Sequence, residues 1–234
     1  MAQTTSSLWK SLRRTRGTKA EHLFDINGVT YGPEHEVEHS VDAGLYEKFG
    51  IGNAATAKLT LKLYTDNVPR AATIKRFIRL RNGSQVSEWL PKGVFFTNRR
   101  SEEDGQWTIE AFDAMRKAEW VWTPEQYLVF PMTAPNAVKE IARIMQVQVD
   151  PRTQLDPSYT IDYPANDYTL RDELRFIAAA HAGNWVVTGE GELLLVPLLS
   201  APLPSTLQAW RSPPGLTCYL FRQACSSPRQ WPSG

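Results

Sequence analysis

Residues Ser84 to Met115, SQVSEWLPKGVFFTNRRSEEDGQWTIEAFDAM, constrain the fold more than any other stretch. They read as two β segments joined by a polar, charged turn around Glu102-Glu103-Asp104, the second stopping at Asp113-Ala114-Met115. A hairpin alone is marginal in water, so other strands or helices must cover its apolar face.

Those strands are legible upstream. HLFDINGVTYG sets Asn27-Gly28 between two apolar runs, and Asn-Gly suits the positive φ angles of a type I′ hairpin turn. PEHEVEHSVDAGLY alternates, with Val37 and Val41 flanking His39, and reads as a strand. GIGNAATAKLTLKLYTD gives a bend at Gly50-Ile51-Gly52. A strand follows, with Leu59, Leu61 and Leu63 on one face and Lys58, Thr60 and Lys62 on the other. Thr73 to Arg81 forms another β segment, turned by Asn82-Gly83. The strand WTIEAF is expected to carry the closing edge of a barrel-like sheet.

After Asp113 the pattern changes. AMRKAEWVWTPEQYLVF is irregular and aromatic, as expected of a crossing between domains, and Trp120 and Trp122 are its candidates for bridging surfaces. Thr133 and Pro135 start a helix in which Val138, Ile141, Ala142 and Met145 share a face. The Asp-Pro pairs and Pro164 of VDPRTQLDPSYTIDYPAND forbid its continuation. Thr169 and Asp172 resemble a capping box opening a second helix. Leu170, Leu174, Ile177, Ala178 and His181 share its face, and Gly183 suits a left-handed stop. The hairpin NWVVT-GEG-ELLLVPL follows. Two helices and a hairpin suit a small α+β domain beside a β domain.

The termini differ in character. Ser6 to Thr15 predicts a short amphipathic helix with Leu8, Trp9 and Leu12 on one side. Lys10, Arg13, Arg14, Arg16 and Lys19 make this a basic, solvated lead-in. It lacks the apolar core of a secretory signal, so synthesis in the cytoplasm is expected. From Leu199 onward the chain is rich in proline and serine and has no acidic residue and no lysine, which predicts a disordered tail or a departure from the natural reading frame. Cys218 and Cys225 lie there without zinc-type spacing, so neither a disulfide framework nor a metal site is indicated. A net charge of +1 provides no overall field toward nucleic acid or an anionic membrane, and no apolar run reaches membrane-spanning length.

Chemical motifs are few. His35-Glu36-Val37-Glu38-His39 is a literal H-E-x-x-H, which serves a zinc peptidase only where a helix puts both imidazoles on one face. On a strand the two lie about 13 Å apart, too far for one ion. Gly50-Ile51-Gly52 precedes a strand, whereas a dinucleotide loop opens a helix. Glu102/Glu103 and Asp172/Glu173 read as a solvated turn and a dipole-complementing first turn. Arg70, Lys75, Arg76, Arg79 and Arg81, with Phe77, read as a mixed solvated face or protein interface. His181 reads as a packed or capping residue.

With these pieces laid out, the chain from about Lys19 to Leu198 resembles the N-terminal half of bacteriophage and prophage tail-hub proteins. That family includes contractile-tail baseplate hubs and tail-tip proteins with an appended endopeptidase. The resemblance rests on the order of the Phe24–Tyr31 hairpin, GIGNAATAKLTLKLY, SEWLPKGVFFTNRR, WTIEAFDAMRK and DYTLRDELRFIAAAHAGNWVVTGEGELLLVPL. It implies a barrel-like β domain and a small α+β domain, and a homotrimeric ring continuing the tail tube toward the tip. Tail-tube and distal tail proteins are the implied partners, and the virion tail the implied location. The family continues into a second barrel-like domain, where this chain has its Pro/Ser-rich segment.

The expectation is therefore a β-rich α+β chain. It comprises a basic lead-in over 1–19, a barrel-like β domain over 20–118, a small two-helix and hairpin domain over 119–198, and the tail over 199–234. Its role is structural, not enzymatic, with no catalytic, cofactor-binding or metal residues and no specific nucleic-acid site. The rivals are a zinc peptidase using His35, Glu36 and His39, and a cell-wall carbohydrate-binding module using exposed tryptophans.

Overall fold

In the computed structural model, which describes residues 5–43, 50–164 and 167–198, Asn27 and Gly28 both take positive φ, 51° and 90°. This is the type I′ geometry that matches strand twist, and it turns β1 (Lys19–Ile26) into β2 (Val29–Tyr31). Asp25 Oδ1 accepts the Gly28 N–H at 2.6 Å and Asn27 Oδ1 the Thr73 N–H at 2.8 Å, so the turn is also tied to the next long strand. The N-terminal helix α1 (Ser7–Leu12) is capped by Ser6, whose own N–H and hydroxyl both donate to Glu88. Leu12 is its buried residue, while Leu8 is exposed.

The main sheet adds β3 (Glu36–Asp42), β5 (Lys58–Tyr64), β6 (Thr73–Asn82), β7 (Gln85–Val86), β8 (Leu90–Glu103) and β9 (Gln106–Asp113); β4 (Asn53–Ala54) belongs elsewhere. Its order is β2-β1-β6-β8-β9-β5-β3, with β7 paired to β6, and every pairing is antiparallel. The sheet curls into a half-barrel. Leu59, Leu61 and Leu63 point inward as their alternation requires, and pack with Phe24, Ile74, Phe95 and Ile109. Burying each such side chain contributes roughly 1.5–3 kcal/mol.

WTIEAF lies in β9, between β8 and β5, and is a central strand, not the closing edge. Its inward Ile109 and Ala111 are covered because it has a neighbour on each side. The free edges are β2 and β3. The turn between β8 and β9 falls at Asp104-Gly105, both at positive φ, starting at the last of the charged residues that mark it in the sequence.

A second hydrophobic cluster gathers α2 (Ala134–Met145), α3 (Leu170–Ala180) and the hairpin of β12 (Gly183–Val187) and β13 (Leu193–Pro197). A 3-10 helix over Ala114–Glu119 supplies Met115 and Ala118 to it. The remaining short strands, β10 (Met132–Thr133) and β11 (Thr160–Ile161), pair with each other beneath α2. In α3 the capping box forms as read. Thr169 Oγ1 accepts the Asp172 N–H, and Asp172 Oδ2 accepts the Thr169 N–H at 3.0 Å. At the other end Ala182, not Gly183, takes the left-handed conformation. Gly183 already belongs to β12, where a Cβ would stand 2.9 Å from the Val196 carbonyl oxygen.

The N-terminal half also contributes a strand to the second sheet. β4 pairs parallel with β12, and Asn184 fixes the join: its Oδ1 accepts the Asn53 N–H at 2.9 Å and its Nδ2 donates to the Gly50 carbonyl at 3.0 Å. The expected bend at Gly50-Ile51-Gly52 is thus a strand-insertion turn. The tail over 199–234, with Cys218 and Cys225, lies outside the described residues.

Candidate assembly surface

The irregular segment after the 3-10 helix is held by backbone bonds at both ends. Val121 bridges Thr169, the Trp122 N–H donates to the Tyr168 carbonyl, and the Leu170 N–H donates to the Trp120 carbonyl. Farther on, the Leu128 N–H donates to the Glu125 carbonyl, and Glu125 receives Arg143 of α2 at 3.0 Å. These ties fix which side chains turn inward. Trp122, Leu128 and Phe130 pack on the second core, with the Phe130 ring 6.2 Å from Trp122 and 5.0 Å from Tyr163.

Other residues of the segment face outward. Trp120 is 61% exposed and Val129 79%, and Val121, Tyr127 and Tyr163 are also exposed. Exposed apolar residues are ordinary when scattered. Here they share one fixed segment and its Tyr163 neighbour, in the aromatic composition that suits the centre of a protein contact. Trp122, paired with Trp120 in the sequence reading, is buried at 2%. It belongs to the second core, and its indole N–H has no hydrogen-bond partner among the described residues. The sequence marked the aromatic segment; which rings face out is set by which of them the second core takes in, and no local pattern announces that.

Three further tryptophans are committed elsewhere. Trp185 is buried and donates through Nε1 to the Leu174 carbonyl at 2.8 Å. Arg79 lies over Trp89 at 4.3 Å and Arg100 over Trp107 at 4.8 Å, each occupying a ring face. Trp120 is the most exposed tryptophan among the described residues.

The H-E-x-x-H segment is not helical. Residues 33–35 form a turn and β3 begins at Glu36. His35 packs edge-on to Tyr31, whereas His39 lies against His22 and Phe24, so the two imidazoles do not share a site. Among the described residues no three His, Cys, Asp or Glu side chains are grouped to hold an ion. The basic run of β6 is also divided. Arg79 and Arg81 share the Glu21 carboxylate at 2.6 and 2.5 Å, while Arg76 turns to His22 and His39. The carboxylates Glu102 and Asp172 serve as turn and cap acceptors. His181 is the packed residue expected: Nδ1 is 2.8 Å from the Ile177 carbonyl and Nε2 accepts the Asp156 N–H.

No family model matches the sequence, and no curated protein matches it. Two solved structures share the fold. The 43 kDa tail protein of prophage MuSo2 from Shewanella oneidensis superposes with a TM-score of 0.52 at 9% identity, over 79% of this chain and 57% of that one. The tail protein from Neisseria meningitidis MC58 gives 0.51 at 14% identity, over 79% and 53%. The chain thus spans a little over half the length of each. At such identities the likeness is one of fold, and the fold is that of these two tail proteins.

Proposed function

We propose that this chain is a structural component of a phage-type tail, a hub-like subunit that joins the tail tube to the tip through protein–protein interfaces. The observation that carries the reading is the fold shared with two prophage tail proteins. The exposed aromatic surface around Trp120, Tyr127 and Val129 supports it, because assembly requires a contact face. In this reading the protein acts by presenting surfaces rather than by chemistry. Its partners are further copies of itself, as a homotrimer, and tail-tube and distal tail proteins, and it resides in the virion tail.

The test is light scattering of the full chain over a wide concentration range, followed by binding to tail-tube and distal tail proteins encoded beside it. Concentration-dependent trimerisation, or saturable binding to either partner, is expected. A strict monomer at the highest concentration, with no binding to either, overturns the proposal.

A further inference from the structure

The half-barrel has a seam. The sheet's ladder ends at β3 on one side and at β1 with its short partner β2 on the other. No strand pairing joins β3 to β1 or β2 among the described residues; side chains bring them together. The His39 ring of β3 lies 4.2 Å from His22 of β1 and 5.4 Å from Phe24, and Tyr31 meets His35 and the Thr65 hydroxyl.

Arg76 of β6 organises the centre of this seam. Its Nη2 is 3.2 Å from His39 Nε2 and 3.5 Å from His22 Nδ1. A guanidinium only donates, so both facing imidazole nitrogens must be lone-pair acceptors. That leaves the His39 proton on Nδ1, where it donates to the Glu36 carboxylate in a short contact. The arrangement is complete only with both rings neutral. A proton on His39 Nε2 or His22 Nδ1 removes an acceptor and sets N–H against N–H beside a fixed cation. The charged groups facing the site are Glu36 on β3, Arg76 on β6 and, acting through Arg76, Lys92 on β8. A protonated His22 would then stand as a second cation beside Arg76, with Glu36 as the carboxylate facing them. Arg76 Nε is already buried without a hydrogen-bond partner among the described residues.

From this geometry we infer that the His22–Arg76–His39 cluster is an acid-released clasp: protonating His22 parts β1 from β3 while the ladder and the second core hold. Glu21, beside the seam on β1, is engaged with Arg79 and Arg81 and is not a free counter-ion. Burial, with the neighbouring His39 and Arg76, lowers the His22 pKa from 6.5 to about 4, so the closed seam resists protonation that the open one accepts. Linkage then raises the open fraction roughly 10- to 30-fold between about pH 7.5 and about pH 5.

Hydrogen exchange of the full chain, corrected for intrinsic rates, tests this at those two pH values. Amides of β1 and β3 should lose about tenfold or more of their protection at the lower pH while α2 keeps its own. The variant His22→Gln/His39→Gln should show no such difference. Should that variant fail to fold, His22→Gln alone, whose ring does not touch Glu36, carries the comparison. Equal protection of the wild-type seam at both pH values, a matching loss in α2, or a variant that retains the loss overturns the inference.

Discussion

Asp113 Oδ2 accepts the Ala57 N–H at 3.0 Å, and this bond fastens the end of β9 to the residue that precedes β5. The other carboxylate oxygen accepts the Met115 N–H at 3.1 Å, capping the 3-10 helix that enters the second core. Arg171 of α3 donates to the Met115 carbonyl and pairs with Glu119 at 2.9 Å, so α3 is tied to the same corner. Asp113→Ala strips two buried N–H groups of their acceptor at once. Leaving such donors unpaired costs more than the bonds themselves contribute, and a loss of about 2–4 kcal/mol is expected by urea denaturation. A loss below about 0.5 kcal/mol, the level of an ordinary surface change, would show that the corner is not a joint.

A second joint lies at the tip of the β12–β13 hairpin. A Cβ on Gly189 would stand 2.4 Å from the Pro91 carbonyl oxygen and 3.0 Å from its carbon, so the hairpin turn rests directly on the β8 backbone. Gly189→Ala cannot be relieved by rotating a side chain, because backbone is what it meets. Overpacking of this kind costs roughly 1–3 kcal/mol. Thermal unfolding should report it as a lowered Tm, and an unchanged Tm would place the hairpin tip away from β8.

Much of this fold was legible because its signals are local. Asn27-Gly28 announced its turn by φ preference, Leu59, Leu61 and Leu63 their face by period, and Thr169 with Asp172 their helix by capping chemistry. What escaped was non-local. Strand order is set by pairing partners far along the chain, so β9 read as an edge although β5 and β8 enclose it. β4 joins β12 through Asn53 and Asn184, residues 131 apart. The H-E-x-x-H segment read as a strand, but nothing in it announced that His39 works with His22 and Arg76, each on a different strand. The aromatic segment was visible, but that Trp120 stays exposed while Trp122 is buried depends on packing against the second core, which no local pattern announces.

The outward side chains of that segment contribute contact rather than stability. Trp120→Ala and Val129→Asp each remove or recharge an exposed side chain, and each should leave the unfolding free energy within about 0.5 kcal/mol of wild type. If the surface is the assembly contact, the double variant should weaken self-association or partner binding at least tenfold by light scattering or calorimetry, as expected when about 1.4 kcal/mol or more is lost from an aromatic anchor. Unchanged binding would move the contact to another face. A fall in stability would instead mean that the segment packs more closely than its exposure implies.

His22 and Asp113 titrate with opposite consequences over nearly the same pH range. His22 is lowered from 6.5 to about 4 by burial and by His39 and Arg76, so the unfolded chain binds the proton more readily and stability falls as pH drops from about 6.5 to about 4. Asp113 is raised from 3.8 to about 6 by burial, against the pull of its two backbone donors and Arg171. Its folded form holds the proton more tightly, so its contribution is full below about 3.8 and is lost as pH rises through about 6. The His22 effect, discounted for its partial exposure, is on the order of 1–2 kcal/mol and that of Asp113 about 2–3 kcal/mol. The two slopes therefore offset, and wild-type unfolding free energy should vary little between about pH 4 and about pH 6. Single variants should expose each slope: stability rising with pH in Asp113→Asn, and falling with pH in His22→Gln. Glu38 and Glu110, held below the ordinary carboxylate range by hydrogen bonds to Lys62 and Lys58, are unchanged in both variants and cancel when their two slopes are compared. Urea titrations at half-unit pH steps decide it, since slopes of the same sign in both variants would mean that at least one of the two groups is not shifted as the fold requires.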